Sequence, residues 1–134
     1  MVDPKVTIID YGIGNLLSVS RGLEHCGAEV ILSSKSEEIL SSDRIILPGV
    51  GAFSKGMEEL RNRNLINIIK ESAIRGIPIL GICLGMQMLL DESEEFGVSP
   101  GLGLIPGRVV PIPKTSENNS LPPDFFPAFE ARKL

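Results

Sequence analysis

Over about its first 95 residues the chain alternates short, continuous apolar runs with segments whose apolar residues recur every three or four positions. The runs are VTIID (6–10), AEVILSS (28–34), DRIILPG (43–49) and IPILGI (77–82). Between the first two, LLSVSRGLEHCG (16–27) sets Leu16, Val19 and Leu23 on one helical face and ends in Gly27, placed to stop a helix. KSEEILSS (35–42) reads as a short helix. The stretch from about Ser54 to Arg75 reads as one helix or two closed by Gly76, and LGMQMLLDES (84–93) as another. Strands that are apolar throughout and alternate with helices pair in parallel and are covered on both faces. The expected fold is therefore α/β, an open, doubly wound, mostly parallel sheet.

Beyond about Phe96 the texture changes, because seven of the ten prolines lie past residue 99. GVSPGLGLIPGRVVPIP (97–113) alternates turns with short apolar pieces. RVVPI within it is expected to be an edge strand, since Pro111 cannot donate to a ladder. Residues 114–134 have no periodicity and hold three of the five phenylalanines, Phe125, Phe126 and Phe129. They read as an irregular Pro/Phe-rich tail on a domain spanning 1–113.

Bulk properties exclude several function classes. A net charge of −4 gives no general affinity for nucleic acid or anionic membrane. No apolar run approaches the roughly 20 residues of a membrane span, and MVDPKVTIID lacks the pattern of a signal peptide. Two cysteines, Cys26 and Cys83, give no disulfide framework and fit a reducing, cytoplasmic setting. One histidine and no clustered cysteine pairs offer no metal set, and no cofactor is expected.

The chemistry concentrates in GICLG (81–85). Cys83 follows a strand and precedes a helix, which is the setting of a nucleophile elbow with cysteine in place of serine. Gly81 and Gly85 leave room for a turn that a Cβ would obstruct. Such a turn puts the sulfur at the carboxyl edge of the sheet, where open α/β folds bind ligands. It also puts it at a helix N-terminus, whose partial charge favours thiolate. The Leu84 N–H would then be free to donate to an oxyanion. A lone cysteine is usually a small buried hydrophobe, but the G-x-C-x-G spacing with these flanks favours the nucleophile. PGVGAF (48–53) leaves the third strand, which in a parallel sheet ends at the same edge, and its glycines around Val50 let backbone N–H groups face a bound anion. DYGIGNL (10–16) also lies there. It lacks a third glycine and a P-loop lysine, so a partner surface or pocket rim suits it as well as a phosphate loop.

Together GICLGMQ, DYGIGNLLSV, LPGVGAF and GLGLIPGRVV, over about residues 5 to 113, resemble the class I (triad) glutamine amidotransferases. Within that family they resemble the glutaminase subunit of imidazole glycerol phosphate synthase, of histidine biosynthesis. The resemblance implies a flavodoxin-like sheet of the class I amidotransferase type. It implies that Cys83 attacks the side-chain amide of glutamine, giving a glutamyl thioester and ammonia. Gly49, Val50, Gly51 and Leu84 would form the oxyanion hole, and Gln87 would line the glutamine pocket. The ammonia would pass to a (β/α)8-barrel cyclase subunit in a heterodimer, with Tyr11, Gly12, Ile13, Gly14 and Asn15 as candidate interface residues.

One element of the family pattern has no counterpart. The family supplies its base and orienter from a His-x-Glu pair near the C-terminus, whereas the only histidine here is His25, at the far end of the first helix. A helix of about eleven residues separates the sheet edges by roughly 16 Å, too far for a hydrogen bond to Cys83. The expectation is a C-terminally truncated or divergent version, lacking the C-terminal part of the family fold and inactive alone. Apolar surface near Ile105, Val109 and Val110 should then be uncovered and drive self-association, or hold the Phe-rich tail. Two other readings stay open, namely a non-catalytic module binding the cyclase subunit and a cysteine-based redox or chaperone α/β protein.

Overall fold

The computed structural model describes residues 3–113 and 130–132. Strands β1 (Lys5–Ile9), β2 (Glu29–Ser33), β3 (Arg44–Leu47) and β4 (Ile79–Gly81) form a wholly parallel sheet in the order β2-β1-β3-β4. The helices are α1 (Leu16–His25), α2 (Ser36–Leu40), α3 (Phe53–Asn62), α4 (Ile66–Ile74) and α5 (Leu84–Met88). Period-two alternation divides the strand side chains between two layers. Val6, Ile8 and Ile46 face Leu16, Val19 and Leu23 of α1. Ile9, Ile45 and Leu47 face the other way, into a core with Ile39 of α2, Leu60 of α3, Ile69 of α4 and Met88 of α5. Helices thus pack on both faces of the sheet.

Three of the helix ends follow one rule. After α1, α3 and α4 the chain turns through Gly27, Asn64 and Gly76, all at positive φ. In each case the next N–H reaches back to close a Schellman motif: Ala28 to Leu23, Leu65 to Leu60 and Ile77 to Ser72. Asn64 therefore resolves residues 54–75 into two helices, since asparagine tolerates the left-handed region better than other non-glycine residues. The N-terminus of α3 has no side-chain cap of its own at Ala52. Glu95 supplies one from 42 positions away, its carboxylate accepting the Phe53 N–H at 3.2 Å. Glu95→Ala should lower stability by about 1 kcal/mol, from the loss of a charge-assisted cap, as read by chemical denaturation.

The segment after α5 departs from expectation. The helix expected over 84–93 stops at Met88, and β5 (Leu90–Ser93) follows. Leu89 and Leu90 continue an unbroken apolar run from Met88 rather than a helical period, and Leu90 and Ser93 pair with Ile105 and Val109. A second four-stranded sheet results, in the order β6-β5-β7-β8, with β6 (Ser99–Pro100), β7 (Ile105–Val110) and β8 (Glu130–Arg132). Here β5 and β7 are parallel and the other pairs antiparallel. The strand expected at RVVPI exists as β7, but it is not at an edge. Pro111 falls just past its last residue, so the missing N–H costs no ladder bond.

Residues 130–132, expected to be irregular, pair with β7 as β8; three residues are too few to carry a visible period. Phe125, Phe126 and Phe129 lie outside the described residues. The expectation of uncovered apolar surface at Ile105, Val109 and Val110 is corrected too. Val109 is buried, and the other two are half-buried, because β7 is flanked on both sides. Among the described residues, apolar side chains are exposed instead at several other places, β4 at the edge of the parallel sheet among them. There Leu80 is 57 % exposed, and Ile82 just past the strand 37 %, beyond the part of the sheet, β2, β1 and β3, that α1 covers. Among the described residues no helix is long and apolar enough to cross a membrane.

Candidate active site

The carboxyl edge of the parallel sheet gathers three loops: 10–15 after β1, 48–52 after β3, and Ile82–Cys83 after β4. The β3–β4 ladder extends by one bond into the last of these, Ile82 N–H to the Leu47 carbonyl at 2.9 Å. The chain then reverses at Cys83, whose φ of 55° and ψ of −119° are a conformation that L-residues avoid. The Gly85 N–H closes the turn on the Ile82 carbonyl at 3.0 Å. Cys83 emerges exposed at its tip, directly before α5.

Sterics explain why this bend needs glycine on either side. A Cβ on Gly81 would stand 2.6 Å from both N and Cα of Met86. One on Gly85 would strike the Leu47 carbonyl oxygen and stand 2.6 Å from its carbon. These obstacles are backbone, which cannot swing aside.

The expected oxyanion donors come together, but not in an open hole. The Leu84 N–H, expected to be free, donates to the Gly49 carbonyl at 3.1 Å. The physical reason is the general shortage of acceptors at a helix start, which the adjacent loop here supplies. Gly49 is buried, Val50 is exposed, and Gly51 turns at φ 95°. Gln87 lies one helical turn beyond the cysteine and is buried, its N–H on the Cys83 carbonyl at 3.2 Å.

Loop 10–15 carries a second correction. Tyr11, expected at a partner interface, is completely buried. Its hydroxyl donates to the Pro48 carbonyl at 2.5 Å, and its own carbonyl accepts from Arg63 Nε at 2.9 Å. Burial, and secondarily the negative charge of a Cys83 thiolate, push its pKa well above the usual range, so it stays a neutral donor. Asn15 caps α1, its side-chain oxygen accepting the Ser18 N–H at 3.3 Å. Gly12 and Gly14 take positive φ, and Ile13 packs partly into the core. Of the five interface candidates, Gly12 and Asn15 are exposed, Ile13 and Gly14 are half-buried, and only Tyr11 is withdrawn from solvent.

His25 ends α1 and is exposed. That end of α1 adjoins the start of β1, where the Glu29 N–H bonds the Pro4 carbonyl at 3.0 Å, so the imidazole lies at the edge opposite Cys83. Among the described residues no group of three or more His, Cys, Asp or Glu is placed to hold a metal ion. Tyr11–Pro48 and Tyr11–Arg63 escaped sequence reasoning because the partners stand 37 and 52 positions apart. The one available signal was a lone tyrosine beside a Gly-rich turn.

Residues 7–120 match the family described as glutamine amidotransferase class-I. Imidazole glycerol phosphate synthase subunit HisH 1 of Legionella pneumophila (strain Lens) is 54 % identical over 117 residues, covering 87 % of this chain and 55 % of that protein. HisH of Bacillus cereus (strain G9842) is 55 % identical over 104 residues, or 78 % of this chain and 50 % of that one. The chain thus spans about half the length of the curated relatives it matches. Among solved structures, a glutamine amidotransferase superposes with a TM-score of 0.66 at 20 % identity, covering 77 % of this chain and 55 % of that one. PurLQS from Thermotoga maritima superposes with a TM-score of 0.57 at 24 % identity, covering 82 % and 49 %. These structural likenesses establish the fold.

Proposed function

The chain belongs to the class-I glutamine amidotransferase family, and on that premise we propose that it carries the nucleophile portion of the glutaminase subunit of imidazole glycerol phosphate synthase. Its role would be to release ammonia from glutamine for the barrel-shaped cyclase subunit, in the cytoplasm, during histidine biosynthesis. Residues 1–113 are the amidotransferase unit in this reading. The observation that carries it is the exposed thiol of Cys83, held at positive φ between two glycines and beside the Gly49–Gly51 loop.

The chemistry follows from that placement. The Cys83 sulfur, as thiolate, adds to the amide carbon of glutamine. The developing oxyanion takes N–H donors from Leu84 and the Gly49–Gly51 backbone, which requires the Leu84 bond to Gly49 to open first. Collapse expels the amide nitrogen, protonated to ammonia, and leaves a thioester that water hydrolyses to glutamate. Gln87 lines the pocket from α5, and Gly12 to Asn15 face the cyclase subunit.

No base for these proton transfers comes from His25, at the far edge. Loss of one member of a group that acts as a unit can cost on the order of 10⁶ in rate. The 134-residue chain by itself should therefore release glutamate no faster than background, with or without the cyclase subunit. Its Cys83 should nevertheless be labelled stoichiometrically by a glutamine-derived diazoketone. Binding of the cyclase subunit without any labelling would point to a non-catalytic docking module instead. Neither labelling nor binding would remove the proposal altogether.

A further inference from the structure

We propose that Tyr11, braced by Arg63, is a positioning residue of the Cys83 site, fixing the Pro48–Gly49 segment so that the Gly49 carbonyl stays latched on the Leu84 N–H. A buried tyrosine hydroxyl needs an acceptor somewhere, and most would serve the core equally well. Here the acceptor is the Pro48 carbonyl, in the peptide unit that ends at the Gly49 nitrogen. The next carbonyl along the chain is the one that caps Leu84. Gly49 is held closely between the two partners. A Cβ there would strike the Tyr11 hydroxyl on one side and stand 3.0 Å from the Leu84 Cβ on the other.

The brace comes from the end of α3. Arg63 Nε donates to the Tyr11 carbonyl at 2.9 Å, and its guanidinium packs over Gly12, where a Cβ would stand 2.6 Å from one terminal nitrogen. The same arginine is tied back to Glu59 at 3.4 Å. Backbone and hydroxyl of Tyr11 are therefore both restrained. On the other side of the latch, Val50 and Gly51 are exposed. Resistance to opening is thus concentrated on the Tyr11 side. The arrangement makes Tyr11 part of what sets how readily the Leu84 donor becomes available, without touching the substrate.

The test is Tyr11→Phe, which keeps the ring and deletes the donor. Site-resolved hydrogen exchange should show the Leu84 amide exchanging about five- to tenfold faster, the factor that one buried hydrogen bond carries. Core amides of β1 and β3 should stay within twofold of their original rates. Arg63→Met should act in the same direction with a smaller factor, and serves if Tyr11→Phe fails to fold. An unchanged Leu84 rate, or one that rises only in step with every core amide, overturns the proposal. The catalytic consequence rests on the reading given under Proposed function and is measured separately. The ratio of diazoketone to iodoacetamide labelling at Cys83 should rise in Tyr11→Phe, because only the ketone oxygen needs the Leu84 donor. If the unaltered chain takes no diazoketone, that reading fails, while the exchange rates still decide the role of Tyr11.

Discussion

Gly85→Ala is expected to lower the melting temperature by on the order of 10 °C or more, and in a marginal background to leave the chain unfolded. The new Cβ would meet the Leu47 carbonyl group and stand 3.2 Å from the Pro48 carbonyl carbon. The first belongs to the last residue of β3 and the second to the residue directly after it, and β3 is bonded to β1 on one side and β4 on the other. Neither the strand nor the turn can yield without breaking ladder bonds. Overpacking against side chains typically costs about 1–3 kcal/mol, and a fixed backbone obstacle lies at or beyond the top of that range. Against a total stability of roughly 5–15 kcal/mol that is a large share. Gly22→Ala provides the control. Gly22 lies within α1 with nothing inside 4 Å of an added Cβ, so alanine there should stabilise by about 0.5–1 kcal/mol. Should the two variants melt within a few degrees of each other, the close packing of α5 on β3 is not what the geometry says.

Cys83→Gly should do two opposite things. Glycine relieves the residue's unfavourable φ of 55°, a strain of about 1–3 kcal/mol, offset in part by the greater freedom of glycine in the unfolded chain. A net gain of about 1 kcal/mol is expected in denaturant titrations. Cys83→Ala keeps the strain while removing the sulfur, so the difference between the two variants isolates the backbone contribution. Both should lose labelling by a glutamine-derived diazoketone completely. Cys26, also exposed and at the opposite edge of the sheet, remains to report general alkylation. Cys83→Gly no more stable than Cys83→Ala would mean that the bend holds no strain. Undiminished diazoketone uptake would move the reactive thiol to Cys26.

The parallel sheet was legible in the sequence because its strands are continuous apolar runs and α1 and α4 end in glycine, signals that local composition carries unaided. The elbow was legible because the G-x-C-x-G spacing between a strand and a helix is a local pattern, and Gly81 answers a steric demand from Met86, five residues on. What escaped was set at a distance. Leu90 to Ser93 became a strand because Ile105 to Val109 offers a partner, which no window around residue 90 can reveal. The Leu84 donor looked free because its acceptor belongs to a loop 35 positions earlier, and Tyr11 looked like a surface residue until Pro48 was brought over it. Pro111 misled for a simpler reason, since a single position decides whether a proline spoils a ladder or merely follows one.

The core that unites the two sheets has a bearing on where this protein could be divided. Ile9 and Leu47 from the parallel sheet share one apolar cluster with Leu90 and Val109 from the mixed sheet and with Leu102 from the loop between β6 and β7. A gene shortened after Glu95, where the amino-acid texture alters, would take Leu102 and Val109 out of the cluster that holds Phe53 and Met88. The segment 97–110 is thus no appendage to be trimmed for crystallisation, but part of the core on which α5, the helix directly after Cys83, is seated.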